Sequence, residues 1–184
     1  VKIFACLVVF TAETNGAGDD FDGFEMPFDV AKGDISTIAS GSISKGDRVD
    51  CSADTVSWNN GEDFSRGLSI WLSTTSDIRT ATRDDHAVRL SAEYSEEMGG
   101  RNHWFSVLGI GLSGTMLHVF AAENSSSFRM ILTWSQDGTV FYSVHPGGGT
   151  ASVFRADSFS PEYWLVTAEG VTGTVSCKKE ATST

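Results

Sequence analysis

The sequence predicts an all-β protein: an antiparallel β-sandwich of jelly-roll-like form in a single domain. Three observations carry that expectation. Apolar and polar residues alternate strictly over several stretches, which is the period of a half-buried strand. The 184 residues hold 19 glycines and only 3 prolines, a balance suited to short strands joined by glycine turns. The strand-like stretches recur about every ten residues, as in sandwiches and barrels. With 40% hydrophobic residues, including 12 Phe and 5 Trp, the chain has enough apolar surface to close a core.

The elements follow in order. The opening run is carried by Ile3, Phe4, Leu7, Val8, Val9 and Phe10. It is too short to cross a bilayer, which takes about 20 apolar residues, so membrane insertion is not expected. Two readings stand. One basic residue, a short apolar run and then Thr14-Asn15-Gly16-Ala17-Gly18 have the outline of a secretory signal peptide. Alternatively, residues 3–10 form a strand hydrophobic on both faces, which must enter the middle of a sandwich, its own or a neighbour's. Donation to a neighbour would build a polymer, and both readings place the protein outside the cell. Residues 1–12 are therefore set apart from a sandwich over 13–177 and a frayed tail over 178–184.

Leu68 to Ser73 reads as a strand. In His86 to Tyr94, Val88, Leu90, Ala92 and Tyr94 face one way and Arg89, Ser91 and Glu93 the other. A helix also fits this stretch, with Ala87, Leu90, Tyr94 and Met98 on one side, but Glu96 and Glu97 would then oppose the helix dipole. Trp104 to Ile110 and Thr115 to Ala121 follow. Phe128, Met130, Leu132 and Trp134 alternate with polar residues, and Gln136-Asp137-Gly138 turns the chain into Thr139 to Val144, the clearest hairpin in the sequence. Ala151 to Arg155, Tyr163 to Ala168 and Val171 to Cys177 complete the set.

Charge and cysteine usage bound the function. With 24 acidic and 13 basic residues the net charge is -11, which repels nucleic acid and anionic lipid. Cys6, Cys51 and Cys177 lack the close pair spacings of zinc or redox sites, so no metal is expected. Without residues 1–12, Cys51 and Cys177 are the one possible pair, closing a loop worth roughly 5 kcal/mol. With that segment kept, one thiol is left over, and buried free thiols are the plain alternative.

Gly109-Ile110-Gly111-Leu112-Ser113-Gly114 matches a dinucleotide fingerprint, but the following Thr115 to Phe120 reads as a strand where the fingerprint needs a helix. Asp19, Asp20, Asp22 and Asp29 make part of a calcium-loop pattern with Gly18 in the first ligand position, so a solvated acidic turn is the better reading. The four histidines show no metal spacing, and no GxSxG elbow is present, so no catalytic residue and no cofactor is expected. Trp58-Asn59-Asn60-Gly61-Glu62-Asp63 joins an aromatic face to amide and carboxylate groups, the means of stacking on a pyranose and hydrogen-bonding its hydroxyls. It is also good turn chemistry. Asn124-Ser125-Ser126 is a glycosylation sequon.

Asp85 to Ser91, Trp104 to Gly109, and Phe128 to Trp134 with Asp137-Gly138 resemble, in their order, the farnesoic acid O-methyltransferase-like domain of invertebrate proteins. The resemblance covers residues 85–138, with a fainter echo over 154–173. It implies a compact extracellular β-sandwich module and transfers no catalytic residue. Residues 1–50 match nothing in that family and are expected to add a pair of strands. The leading expectation is a secreted, non-enzymatic sandwich that self-assembles as a structural or adhesive subunit through residues 1–12. The alternative is a glycan-binding module using Trp58, Asn59, Asn60, Glu62 and Asp63.

Overall fold

In the computed structural model the described residues are 21–31, 33–58, 65–77, 86–95, 102–110, 118–122, 126–146, 148–155 and 159–181. They form the strands β1 (Phe21–Asp29), β2 (Ile35–Ser42), β3 (Asp47–Trp58), β4 (Ser65–Ser73), β5 (Ala87–Ser95), β6 (Asn102–Ile110), β7 (His118–Ala122), β8 (Phe128–Trp134), β9 (Thr139–His145), β10 (Gly148–Arg155), β11 (Tyr163–Glu169) and β12 (Val171–Ala181). Two six-stranded antiparallel sheets result. The first runs β1-β12-β3-β8-β9-β10 and the second β2-β11-β4-β5-β6-β7. Among the described residues no helix is long and apolar enough to cross a membrane.

Alternation decides which side chains meet between the sheets. From the first sheet come Phe128, Met130, Leu132 and Trp134 of β8 and Val140, Tyr142 and Val144 of β9, all buried. From the second come Leu68, Ile70 and Leu72 of β4, Val88, Leu90 and Ala92 of β5, and Phe105 and Val107 of β6. Phe105 meets Phe128 edge-on across the interior, with ring centroids 5.4 Å apart. The expected hairpin forms, with Ser135 and Thr139 closing the turn by a backbone hydrogen bond of 2.9 Å. The helical alternative for residues 87–98 gives way to β5, whose apolar period is satisfied on both flanks by β4 and β6.

Among its described residues the N-terminal third supplies three strands, β1, β2 and β3, where a pair was expected. In β3, Cys51 and Ala53 point into the core, then a bulge opposite Gly173 moves the inward positions to Val56 and Trp58. Thr55 takes the left-handed conformation there, φ 53°. A side chain at Gly173 would meet the Asp54 carbonyl and the Phe28 ring, both at 3.1 Å, closer than ordinary van der Waals contact, so glycine lets β12 and the bulge approach without displacing either. Cys51 and Cys177 face each other on β3 and β12 and are joined in a disulfide, with Cα atoms 4.1 Å apart. The expected tail is also corrected: β12 continues to Ala181, because Lys178, Lys179 and Glu180 still pair with Asp50, Val49 and Arg48.

Candidate functional site

The outer faces of the two sheets differ in kind. On the first sheet, Asp50 of β3 is buried and gripped by the two-pronged guanidinium of Arg129 on β8, which holds the Arg129 proton above its ordinary range. Nearby, Glu180 takes Lys178 and Arg48 together, and those hydrogen bonds draw its carboxyl below its usual range. A shallow cavity of about 490 Å³ lies here, lined in part by Glu25, Asp50, Ser52, Arg129, Ser176 and Lys178. Its cations are already committed to carboxylates.

The outer face of the second sheet is built from residues that sheet geometry turns away from the core, yet they are buried. Arg89 is 5% exposed, Glu93 6% and Ser91 0%. Arg89 and Glu93 stand four residues apart on β5, about 13 Å along an extended strand. The long arginine side chain spans that gap, and its Nη2 donates to Glu93 Oε1 at 3.0 Å. Ser106, on β6 directly across from Ser91, donates its hydroxyl to the same oxygen at 2.7 Å. The guanidinium carbon also lies 5.5 Å from the ring of Trp71, its register partner on β4. Trp71 in turn donates its indole N–H to the Thr167 hydroxyl of β11 at 2.9 Å.

Four neighbouring strands thus bring a tryptophan face, a cation, a carboxylate and three hydroxyls together. Among the described residues the Ser91 hydroxyl, buried within this group, has no hydrogen-bond partner. Beside the polar half is a small apolar cluster of Trp71, Ala87 and Leu165, flanked by Ile110 and Tyr163. Chemically the arrangement offers donors and acceptors in fixed directions next to an aromatic face, with no net charge.

The residues singled out from the sequence lie elsewhere. Trp58 ends β3 on the core side, half-buried, with its ring packed over Gly67: a side chain there would come within 2.1 Å of the indole. Asn59, Asn60, Glu62 and Asp63 lie outside the described residues, as do the sequon at Asn124, Cys6, and the run containing Ile3, Phe4, Leu7, Val8, Val9 and Phe10. Of the partial calcium pattern, Asp19 and Asp20 lie outside them too, and Asp29 is exposed at the end of β1. Among the described residues no group of three or more His, Cys, Asp and Glu is placed to hold a metal ion. On β9, His145 shares a hydrogen bond of 3.1 Å with Ser143.

Sequence reasoning placed Arg89, Ser91 and Glu93 on the face away from the core but did not single them out as a site. The available signal was Trp71 and Leu165, large apolar residues falling on that same outward face.

No protein-family profile matches the chain, and no curated protein sequence matches it. Among solved structures, the chain is similar to a legume lectin-like domain from Entamoeba histolytica, with 10% identity, TM-score 0.55, and coverage of 89% of this chain and 91% of that one. It is also similar to the carbohydrate recognition domain of Emp46p in metal-free form, with 8% identity, TM-score 0.57, and coverage of 90% and 89%. A fructofuranosidase from Schwanniomyces occidentalis matches with 6% identity and TM-score 0.52, over 87% of this chain but 33% of that one. At these identities the likeness is one of fold. The resemblance of residues 85–138 to the farnesoic acid O-methyltransferase-like domain therefore stands for its β-sandwich alone, since none of these neighbours brings support for that family. What the chain shares with them is the architecture of two antiparallel sheets closed over one core.

Proposed function

We propose that the chain is a secreted, non-enzymatic glycan-binding module that takes a neutral saccharide on the outer face of its second sheet. The observation that carries this reading is the Arg89–Glu93–Ser106 network beside Trp71, with the unpartnered Ser91 hydroxyl at its centre. A pyranose offers an apolar face for an indole and a rim of hydroxyls that both donate and accept. The paired charges of Arg89 and Glu93 supply strong donors and acceptors while favouring neither anionic nor cationic sugars. The lectin-like neighbours support the glycan reading over self-assembly through residues 1–12. The disulfide agrees with an oxidising compartment.

Because Arg89 and Glu93 are buried, the reading requires this face to open when a saccharide enters. The test is binding to an array of neutral and acidic glycans followed by calorimetry on the best ligand. Glu93→Gln, which keeps the shape and removes the charge, should weaken binding at least tenfold, about 1.4 kcal/mol. Trp58→Ala should leave it within twofold. The reverse pattern would move the site to the end of β3, with Trp58, Asn59, Asn60, Glu62 and Asp63. Absence of binding to any glycan by the folded wild-type chain would overturn the proposal.

A further inference from the structure

In an antiparallel sheet, residues opposite each other on neighbouring strands stand in a row about 4.8 Å apart, so short side chains flanked by long ones leave a trough. On the outer face of the first sheet, Glu25 of β1, Ser176 of β12, Ser52 of β3 and Arg129 of β8 are successive register partners. Two serines therefore lie between a carboxylate and a guanidinium, and they line the cavity of about 490 Å³. In the next row the bulge of β1 brings Gly23 beside Lys178, where a side chain would come 3.5 Å from the Lys178 Cβ and 3.2 Å from the Cys177 carbonyl, so the trough carries no wall there. Neither cation is used up by its carboxylate. Buried Asp50 takes two of the five guanidinium N–H groups, which fixes the direction of Arg129 while its side chain stays 45% exposed. Lys178, 47% exposed, bonds to Glu180 and has three ammonium donors to share.

We propose that this trough binds a short peptide with both ends free, its carboxylate over Ser52 between Arg129 and Lys178 and its ammonium at Glu25. The charges of the lining argue for a zwitterion. Glu25 and Asp50 balance Arg129 and Lys178, and the exposed Glu25 and half-exposed Arg129 stand at opposite ends of the row. Two strand spacings separate Glu25 from Ser52, about 10 Å, the length of three extended residues. The serine hydroxyls, which both donate and accept, match the amide groups in between. A free amino acid is too short to reach both ends, and an anionic polymer would meet Glu25 and the net charge of -11. The trough lies on the opposite side of the sandwich from Arg89 and Glu93, so the inference is independent of the glycan reading.

Calorimetry of the full chain at pH 7 with tri-alanine as probe, beside N-acetyl-tri-alanine and tri-alanine amide, tests it. Free tri-alanine should bind. The amide should bind at least about tenfold more weakly, because hydrogen bonds to a charged group are lost, and the acetylated peptide about threefold more weakly, because Glu25 is exposed to solvent. Glu25→Gln should weaken the free peptide about threefold and leave the acetylated one unchanged, with thermal unfolding unaltered. Lys178→Gln should weaken both by the same factor, about threefold, and serves in its place if the Glu25 variant does not fold. No binding of tri-alanine by the folded wild type, equal affinity for all three peptides, or an acetylated peptide that still responds to Glu25→Gln would each overturn the proposal.

Discussion

Replacing Arg89 with Met tests whether the outer face of the second sheet is the buried network described. Methionine keeps much of the apolar length and removes the guanidinium. Both side chains of the pair are nearly sealed from water, 6% and 8% exposed, so Glu93 would be left as a carboxylate with the Ser106 hydroxyl as its remaining donor of that network. Removing one partner of a buried ion pair costs about 3–5 kcal/mol. The retained Ser106 hydrogen bond pulls the figure toward the lower limit, since a hydrogen bond to a charged group contributes about 1.5–3 kcal/mol. Loss of the guanidinium from the Trp71 face adds about 0.5–1 kcal/mol. The expected loss is therefore about 3–4 kcal/mol, read as a lower urea midpoint at unchanged slope. Arg89→Met/Glu93→Gln removes both charges, so its loss should fall short of the summed single variants by about 2 kcal/mol. A loss below about 1 kcal/mol for Arg89→Met, the range of solvent-exposed pairs, would refute the reasoning, as would strict additivity in the cycle.

Three further outcomes are expected. Cys51→Ala/Cys177→Ala opens a loop with sequence separation 126, for which the chain-entropy relation gives about 5 kcal/mol; a urea midpoint corresponding to less than about 2 kcal/mol would contradict it. Gly67→Ala sets a methyl group 2.1 Å from the Trp58 ring and 2.6 Å from the Ala92 carbonyl at a φ of 48°, so it should destabilise by about 2–4 kcal/mol and shift tryptophan fluorescence, whereas Gly33→Ala, with open space around it, should cost only its backbone strain. Glu180 has a carboxyl lowered by Lys178 and Arg48, so its contribution to stability is full above the unfolded carboxylate range and is lost as pH falls through the lower folded value; comparing the acid limb of urea midpoints for wild type and Glu180→Gln should show a small, salt-sensitive difference that vanishes at the lowest pH.

The strands that declared themselves in the sequence are those whose alternation runs unbroken. In β8 and β9 the inward residues keep one parity from end to end, and a good turn joins them. β3 was hidden because its parity changes: Cys51 and Ala53 are inward before the bulge, Val56 and Trp58 after it, and a period of two read across Thr55 cancels itself. β1 is interrupted the same way at Gly23. β2 gave no signal because an edge strand with most of its residues exposed needs no apolar face. The end of β12 reads as a tail because Lys178, Lys179 and Glu180 look solvated; the ladder to Asp50, Val49 and Arg48 of β3 keeps that end in the sheet, with the Arg48–Glu180 and Lys179–Asp47 ion pairs beside it.

The site was half legible for a related physical reason. Alternation is enough to send Arg89, Ser91 and Glu93 to the side of β5 away from Leu90, and that prediction concerns the backbone alone. Whether an outward face is wet depends on what the rest of the chain places there, and local pattern is silent on it. The clue was on the neighbouring strands: Trp71 and Leu165 also point outward, and both are buried. A sheet with large apolar residues on both faces has no ordinary solvated side. Charged groups on such a face must find each other, and Arg89 reaches along β5 to Glu93 because water is not there to take its place. The second sheet therefore carries a layer of specific, directional polar contacts outside the core that holds the sandwich together. Substitution of Glu93 removes the carboxylate that Arg89 and Ser106 share, while the inner face, with Leu68, Ile70, Leu72, Val88 and Leu90, keeps the two sheets closed.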